Sequence, residues 1–210
     1  MVRSPIPPEI SSGGVIAIGR RLNASSIVQV AEALVDGGVS AFEVTLNSAD
    51  GVAAIRALAQ RYSKGPLLVG AGTILDISAA TTAVEAGARF LVSPHADMEL
   101  ISWAVDREVP IFPGAFSPTE ILAAWRAGAS AVKLFPASVA GPAFVREMRG
   151  PLPEIPLIPT GGVTVENAPG FIAAGAVALG VGGWLTGGGS LEVIRQRSAD
   201  LVRAVRSARS

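Results

Sequence analysis

Short apolar runs alternate with longer stretches of helical periodicity along the chain. Val15-Ile16-Ala17-Ile18 reads as a first strand, and Ile27, Val30, Ala31 and Leu34 keep the spacing of a buried helix face until Gly37-Gly38 end it. Asn23 or Ser25 can cap that helix. Residues 39–46 read as a second strand, 53–62 as a helix, and Leu67-Leu68-Val69 as a strand running into Gly70-Ala71-Gly72-Thr73. A helix at 78–86, a strand at 89–93, a helix at 97–105 and a brief strand at 110–112 follow. Pro113-Gly114-Ala115-Phe116 reads as a loop, and Ser117 with Glu120 fits a capping box for the helix that runs to Ala127. The remaining strands lie at 131–135, 155–158 and 176–181, with helices near 142–148, 163–174 and 191–207. Residues 1–13 contain Pro5, Pro7 and Pro8, and read as a loosely ordered lead-in with one helical turn.

Strand and helix therefore alternate on short connections, the pattern of an α/β chain with a parallel sheet. A glycine turn recurs at Gly37-Gly38, Gly87, Gly128 and Gly175, before the second, fourth, sixth and eighth strands. Its spacing of roughly 40 to 50 residues favours a closed barrel over an open sheet. The expectation is a single-domain (β/α)8 TIM barrel over 14–210, behind the lead-in at 1–13.

Two strands break the apolar pattern with a charge. In Ala131-Val132-Lys133-Leu134-Phe135-Pro136, alternation points Val132 and Leu134 one way and Ala131, Lys133 and Phe135 the other. In the second strand Phe42, Val44 and Leu46 share one face, and Ala41, Glu43 and Thr45 the other. Lys133 could snorkel to water, or pair with Glu43 as structural filler. The chemical alternative is a desolvated, partly neutral amine that condenses with a carbonyl, with Glu43 across the lumen moving protons. Arg20, Thr45, Thr73 and Thr160 also fall at strand C-terminal ends, where such barrels carry their chemistry. Thr160-Gly161-Gly162-Val163 and Gly180-Val181-Gly182-Gly183 place two glycine-rich loops side by side, which suits a phosphate. Arg20 could hold a carboxylate, with one of Arg20 and Arg21 facing solvent. His95 reads as a loop or capping residue, and Trp103, Trp125 and Trp184 as packing residues.

Composition narrows the chemistry. There is no cysteine and one histidine, which excludes thiolate catalysis, cysteine-based zinc sites and multi-histidine metal sites. Seventeen basic residues balance seventeen acidic ones, leaving no electrostatic case for nucleic acid or an anionic membrane. Mean hydropathy is +0.48 over 21.3 kDa, yet no run is long enough to span a bilayer, so a soluble cytoplasmic protein is expected.

Glu-Val-Thr-Leu at 43–46, Gly-Ala-Gly-Thr at 70–73, Ser-Pro-His at 93–95, Phe-Pro-Gly at 112–114, Val-Lys-Leu-Phe-Pro-Ala at 132–137 and Pro-Thr-Gly-Gly-Val at 159–163 resemble the 2-keto-3-deoxy-6-phosphogluconate (KDPG) and 4-hydroxy-2-oxoglutarate (KHG) aldolases, in order from about residue 14 to 187. The resemblance implies a homotrimeric class I aldolase that needs no metal or other cofactor and acts on a small-molecule 2-keto-3-deoxy sugar acid phosphate or hydroxy-oxo acid, cleaving KDPG to pyruvate and glyceraldehyde 3-phosphate or 4-hydroxy-2-oxoglutarate to pyruvate and glyoxylate. It implies Lys133 as the Schiff-base lysine, Glu43 as general acid/base, Arg20 and Thr73 around the pyruvate carboxylate, and Thr160 at the position tied to aldol stereochemistry. Pro94 and Phe135 would line the pocket, and Gly161, Gly162, Gly182 and Gly183 the phosphate loops. Asn47 and Gly183 stand where family members often have arginine or threonine, and serine, so fewer side chains would reach the distal end of the substrate. The alternatives are another phosphate-binding barrel lyase or isomerase, such as the thiamine-phosphate synthase type, and a non-catalytic sugar-phosphate-binding barrel.

Overall fold

The computed structural model of the protein describes residues 3–22 and 24–209. Strand β1 (Val15–Gly19) is buried at every position, as an apolar run enclosed on both faces must be. It is followed by α2 (Ala24–Asp36), β2 (Ala41–Thr45), α3 (Gly51–Arg61), β3 (Leu68–Gly72), α4 (Ile77–Glu85), β4 (Leu91–Val92) and α5 (Met98–Asp106). The order continues with β5 (Ile111–Phe112), β6 (Gly114–Ala115), α6 (Pro118–Arg126), β7 (Val132–Leu134), α7 (Ala137–Arg149) and β8 (Leu157–Pro159). The last elements are α8 (Ala168–Ala173), β9 (Leu179–Val181), α9 (Gly183–Thr186) and α10 (Leu191–Ser207), and α1 (Pro8–Ser11) precedes them all. The Asn23 and Ser25 side chains expected to cap α2 lie outside the described part.

All the strand pairs are parallel. They form a curled six-stranded sheet, β5-β4-β3-β2-β1-β9, and a three-stranded sheet, β6-β7-β8. Only Pro113 separates β5 from β6, and a parallel bridge from Thr160 to Gly180 joins the end of β8 to β9.

Several boundaries differ from the sequence pattern for identifiable reasons. The segment after Pro113 was expected to be loop, but Gly114 and Ala115 pair with Lys133 and Leu134. Proline removes one ladder donor while keeping its carbonyl, and that carbonyl accepts the Lys133 N–H at 2.9 Å. The helix expected from 163 begins at Ala168, because the Asn167 side chain accepts the Thr164 N–H and Pro169 then sits in the first turn. The helix expected near 142–148 extends back to Ala137 across a break at Gly141, where φ is 68°. The capping box at Ser117 and Glu120 is present with both of its hydrogen bonds.

Strand alternation divides the apolar interior into two layers. Val15, Ala17, Phe42, Val44, Val132 and Leu134 face the helices and pack with Ile27, Leu34, Ile55 and Leu201. Ile16, Ala41, Leu68, Phe90, Phe112, Ala131, Ile158 and Ala178 face the other way and form a separate inner cluster. Phe90 and Phe112 meet there with centroids 5.8 Å apart.

Ile10 of α1 belongs to this inner cluster, so the lead-in is packed rather than loose. Arg3 reinforces it, donating to the Ala129 and Trp125 carbonyls at 2.8 and 2.7 Å and stacking 3.2 Å from the Trp125 ring centroid.

Ile10→Ala should lower the unfolding free energy by about 3 kcal/mol, the usual size for truncating a fully buried isoleucine. Denaturant titration checks it; a loss below about 0.5 kcal/mol would return the lead-in to a loosely held segment.

Candidate active site

At the centres of β2 and β7 the inner-facing side chains, Glu43 and Lys133, are charged. Register sets Ile18, Glu43 and Gly70 side by side across β1, β2 and β3, and Gly114, Lys133 and Ile158 across β6, β7 and β8. Glu43 and Lys133 are 3% and 5% exposed. Both line a cavity of about 510 Å³ at the C-terminal ends of the strands.

Burial is the largest influence on each group, and it acts in opposite directions. It pushes the Glu43 carboxyl above the ordinary carboxylate range, against the pull of Lys133 and then Arg20. It pushes the Lys133 amine below the ordinary lysine range; Glu43 opposes that shift and Arg20 adds to it. Each is driven towards its neutral form and drawn back by the other. Neither belongs to an ion pair among the described residues, so the acid and amine share a space rather than a contact. Lys133 Nζ lies 5.0 Å from the centroid of the Phe135 ring, which also walls the cavity.

Glu43 owes its position to Gly72 on the neighbouring strand. A methyl group on Gly72 would overlap the Glu43 carboxyl, so the third strand must lack a side chain where the acid crosses it. The two glycine loops lie together where β8 meets β9, and both line the cavity. Gly161 and Gly162 have φ of 92° and 75°, and a methyl on Gly162 would press on Ser138 Cβ at 2.6 Å. Ala137 and Ser138 donate their N–H groups to the Thr160 and Gly161 carbonyls at 2.8 and 2.9 Å, tying the turn after β7 to the turn after β8. Asn167 Nδ2 donates to the Gly162 carbonyl at 2.9 Å. Gly182 and Gly183 open α9, and nothing lies within 4 Å of a side chain added at Gly183.

Of the residues singled out in the sequence, Arg20, Glu43, Lys133, Phe135, Thr160, Gly161, Gly162, Gly182 and Gly183 line this cavity. Thr73 and Pro94 do not. Thr73 turns the chain directly after β3 with φ at 58°, and Pro94 has its backbone packed against Gly114. Thr45 is a brace: its Oγ1 donates to the Gly19 carbonyl at 3.2 Å. His95 closes its own loop, with Nδ1 3.0 Å from Ser93 Oγ.

Trp184 packs against the helix-facing core, as do Trp103 and Trp125, and it also lines the cavity together with Arg21, Val163, Thr164 and Thr186. Its place directly after Gly182-Gly183 was the available signal. Both arginines reach the cavity and both are exposed. Among the described residues there is no group of three or more His, Cys, Asp or Glu that could hold a metal ion, and no helix long and apolar enough to cross a membrane.

The chain is similar to known proteins over most of its length. Residues 8–205 match the family model described as KDPG and KHG aldolase. The chain is 42% identical over 172 residues to the 2-dehydro-3-deoxy-phosphogluconate aldolase of Pseudomonas aeruginosa, a match covering 81% of this chain and 76% of that protein. A native KDPGal structure superposes with a TM-score of 0.88 at 34% identity, covering 92% of this chain and 95% of its own. The KDPG aldolase of Legionella pneumophila, solved with pyruvate captured at low pH as a covalent carbinolamine intermediate, superposes at 0.81 with 25% identity, covering 98% and 99%.

The chain has two lysines, Lys64 and Lys133. Cyanate, small enough to enter the cavity, carbamylates neutral amines, and peptide mass spectrometry separates the sites. The pH at which Lys133 reacts at half its maximal rate should lie below that of an ordinary lysine side chain. Glu43→Gln should move it lower still, because the lost negative charge was stabilising the ammonium form. An inflection at or above the ordinary position would contradict dominance by burial.

Proposed function

Because the chain belongs to the family of KDPG and KHG aldolases, we propose that Lys133 forms the substrate imine and Glu43 carries its protons. The protein is a class I aldolase, a carbon–carbon lyase acting on a small 2-keto acid. The observation that supports these residue roles is the pairing of a desolvated amine and a desolvated acid in one cavity, with no ion pair holding either.

The neutral Lys133 amine attacks the C2 ketone to give a carbinolamine, and Glu43 as an acid protonates the departing hydroxyl, releasing water. The resulting iminium is the electron sink. Glu43, now a carboxylate, takes the C4 hydroxyl proton; the C3–C4 bond breaks, the aldehyde leaves, and its bonding pair becomes the enamine. Protonation at C3 and hydrolysis release pyruvate and restore the amine. From KDPG the aldehyde is glyceraldehyde 3-phosphate, and from 4-hydroxy-2-oxoglutarate it is glyoxylate.

Arg20 is assigned to the substrate carboxylate, since it acts electrostatically on both Lys133 and Glu43 from the cavity edge. Thr160 is assigned to the face from which the aldehyde is held, and Gly161, Gly162, Gly182 and Gly183 to the phosphate. Thr73 and Pro94 lie outside the cavity lining, so the carboxylate assignment rests on Arg20.

We further propose that the two sheets form one closed (β/α)8 barrel in a single domain, supported by the Thr160–Gly180 bridge and the one-residue gap at Pro113, and that the protein is a cytoplasmic homotrimer. Exposed Leu75, Met98, Phe116 and Val139, all following strand C-terminal ends, supply apolar surface for assembly. Light scattering should give about three times the 21.3 kDa chain mass; a monomer would remove the trimer from the reading.

Borohydride reduction with pyruvate should leave a stable adduct on the peptide containing Lys133, and none on Lys133→Met. Glu43→Gln should still form adduct while turnover falls about 100-fold or more, the usual range for a lost acid–base group. Absence of adduct on folded wild-type protein would sink the imine assignment, and an unchanged Glu43→Gln rate would remove Glu43 from its role.

A further inference from the structure

Arg21 follows Arg20 at the end of β1 and holds φ at 57°, in the left-handed region that a side chain with a Cβ enters against steric repulsion. Among the described residues only glycines, Thr73 and Glu108 share that region. Such a conformation persists where its surroundings over-determine it, and it marks sites where a side chain must be delivered to a particular place. Here the surroundings are polar groups of the second strand's turn. The Arg21 N–H donates to Ser48 Oγ at 2.9 Å, and Ser48 Oγ shares a hydrogen bond of 3.2 Å with Thr45 Oγ1, itself bonded to Gly19. Glycine would make this turn without repulsion, so the turn alone does not account for an arginine.

The side chain lines the main cavity and also the recess beside Asn47, Ser48 and Asp50. Among the described residues its guanidinium has no hydrogen bond or ion pair, Asp50 included. Parallel pairing of β1 with β9 puts this turn beside the Gly182–Gly183 turn, and Thr186 Oγ1 fastens the two ends by donating to the Ile18 carbonyl at 2.6 Å. Gly183 faces open space and offers no side-chain donor there. Arg20 acts on Lys133 and Glu43; Arg21 is not among the charges that do.

We propose that Arg21 is a specificity-determining residue that clamps the distal anionic group of the substrate, a phosphate monoester, with its unpaired guanidinium, while the glycine loops supply backbone donors. The proposal rests on the aldolase reading above. The adjacent arginines then serve opposite ends of one substrate: Arg20 the carboxylate near the imine, Arg21 the phosphate at the mouth. A guanidinium suits that task because its planar fork meets two phosphate oxygens at once.

Arg21→Gly removes the cation and relieves the backbone, so the variant should melt no lower than wild type. Glycerol 3-phosphate, which mimics the distal half of the substrate, should bind it about tenfold or more weakly by calorimetry, the loss expected for one charge-assisted clamp. The ratio of kcat/KM for 2-keto-3-deoxy-6-phosphogluconate to that for its unphosphorylated parent should fall by a similar factor, through KM, with partial recovery in Arg21→Lys. Unchanged glycerol 3-phosphate affinity, or equal losses on both substrates, would overturn the proposal. Binding separates its failure from that of the aldolase reading: wild type that binds glycerol 3-phosphate through Arg21 yet traps no pyruvate leaves the clamp standing and removes the lyase.

Discussion

The removal of one amine and one carboxyl from water into a shared cavity is the constraint to which the surrounding structure answers. Burying a single ion unpaired opposes folding by several kcal/mol, a large share of the 5–15 kcal/mol that typically holds a domain together. Lys133 and Glu43 moderate this by drifting towards neutral forms while each still feels the other. A direct ion pair would have offset the burial more fully and would have held the amine in its charged form. The stability that offsets this arrangement has to come from elsewhere, and the inner cluster beneath the cavity, closed by Ile10 and the Phe90–Phe112 contact, is one source.

The outer hydrophobic layer aims the chemistry. Side chains alternate along a strand, so a slip of one residue would bring Phe42 and Val44, or Val132 and Leu134, into the cavity and carry Glu43 or Lys133 into the helix-facing core. Leu34, Ile55 and Leu201 therefore act on the site at a distance, by making the correct register the only one that buries its apolar partners. The packed core and the cavity are two faces of the same strands.

That coupling explains which features were legible in the sequence. Lys133 and Glu43 stood out because period-two alternation puts a charge on a face that should be apolar, and local periodicity decided the faces correctly. The capping box at Ser117 and the helix at Leu191–Ser207 were likewise local. What escaped depended on contacts between distant segments. The strand after Pro113 exists because the Lys133 strand accepts it, and no local signal carries that. The lead-in is ordered by Ile10 finding a cluster built from most of the chain. Trp184 reaches the cavity because Gly182 takes φ and ψ both near −105°, a choice that glycine leaves open and its neighbours in space decide.

The site is shaped as much by missing side chains as by present ones. Gly72 leaves room for the Glu43 carboxyl, and a methyl on Gly180 would overlap Thr160 Oγ1. A sequence reader sees such glycines as turns, since their backbone freedom is the commoner reason for them. Gly72 and Gly180 instead lie inside strands with ordinary negative φ, where glycine weakens the strand. Their justification is volume: each clears a path for a polar side chain from the neighbouring strand. Glycine within a buried parallel strand, one strand over from an acid or a hydroxyl, is thus a positional clue to chemistry that periodicity alone does not reveal.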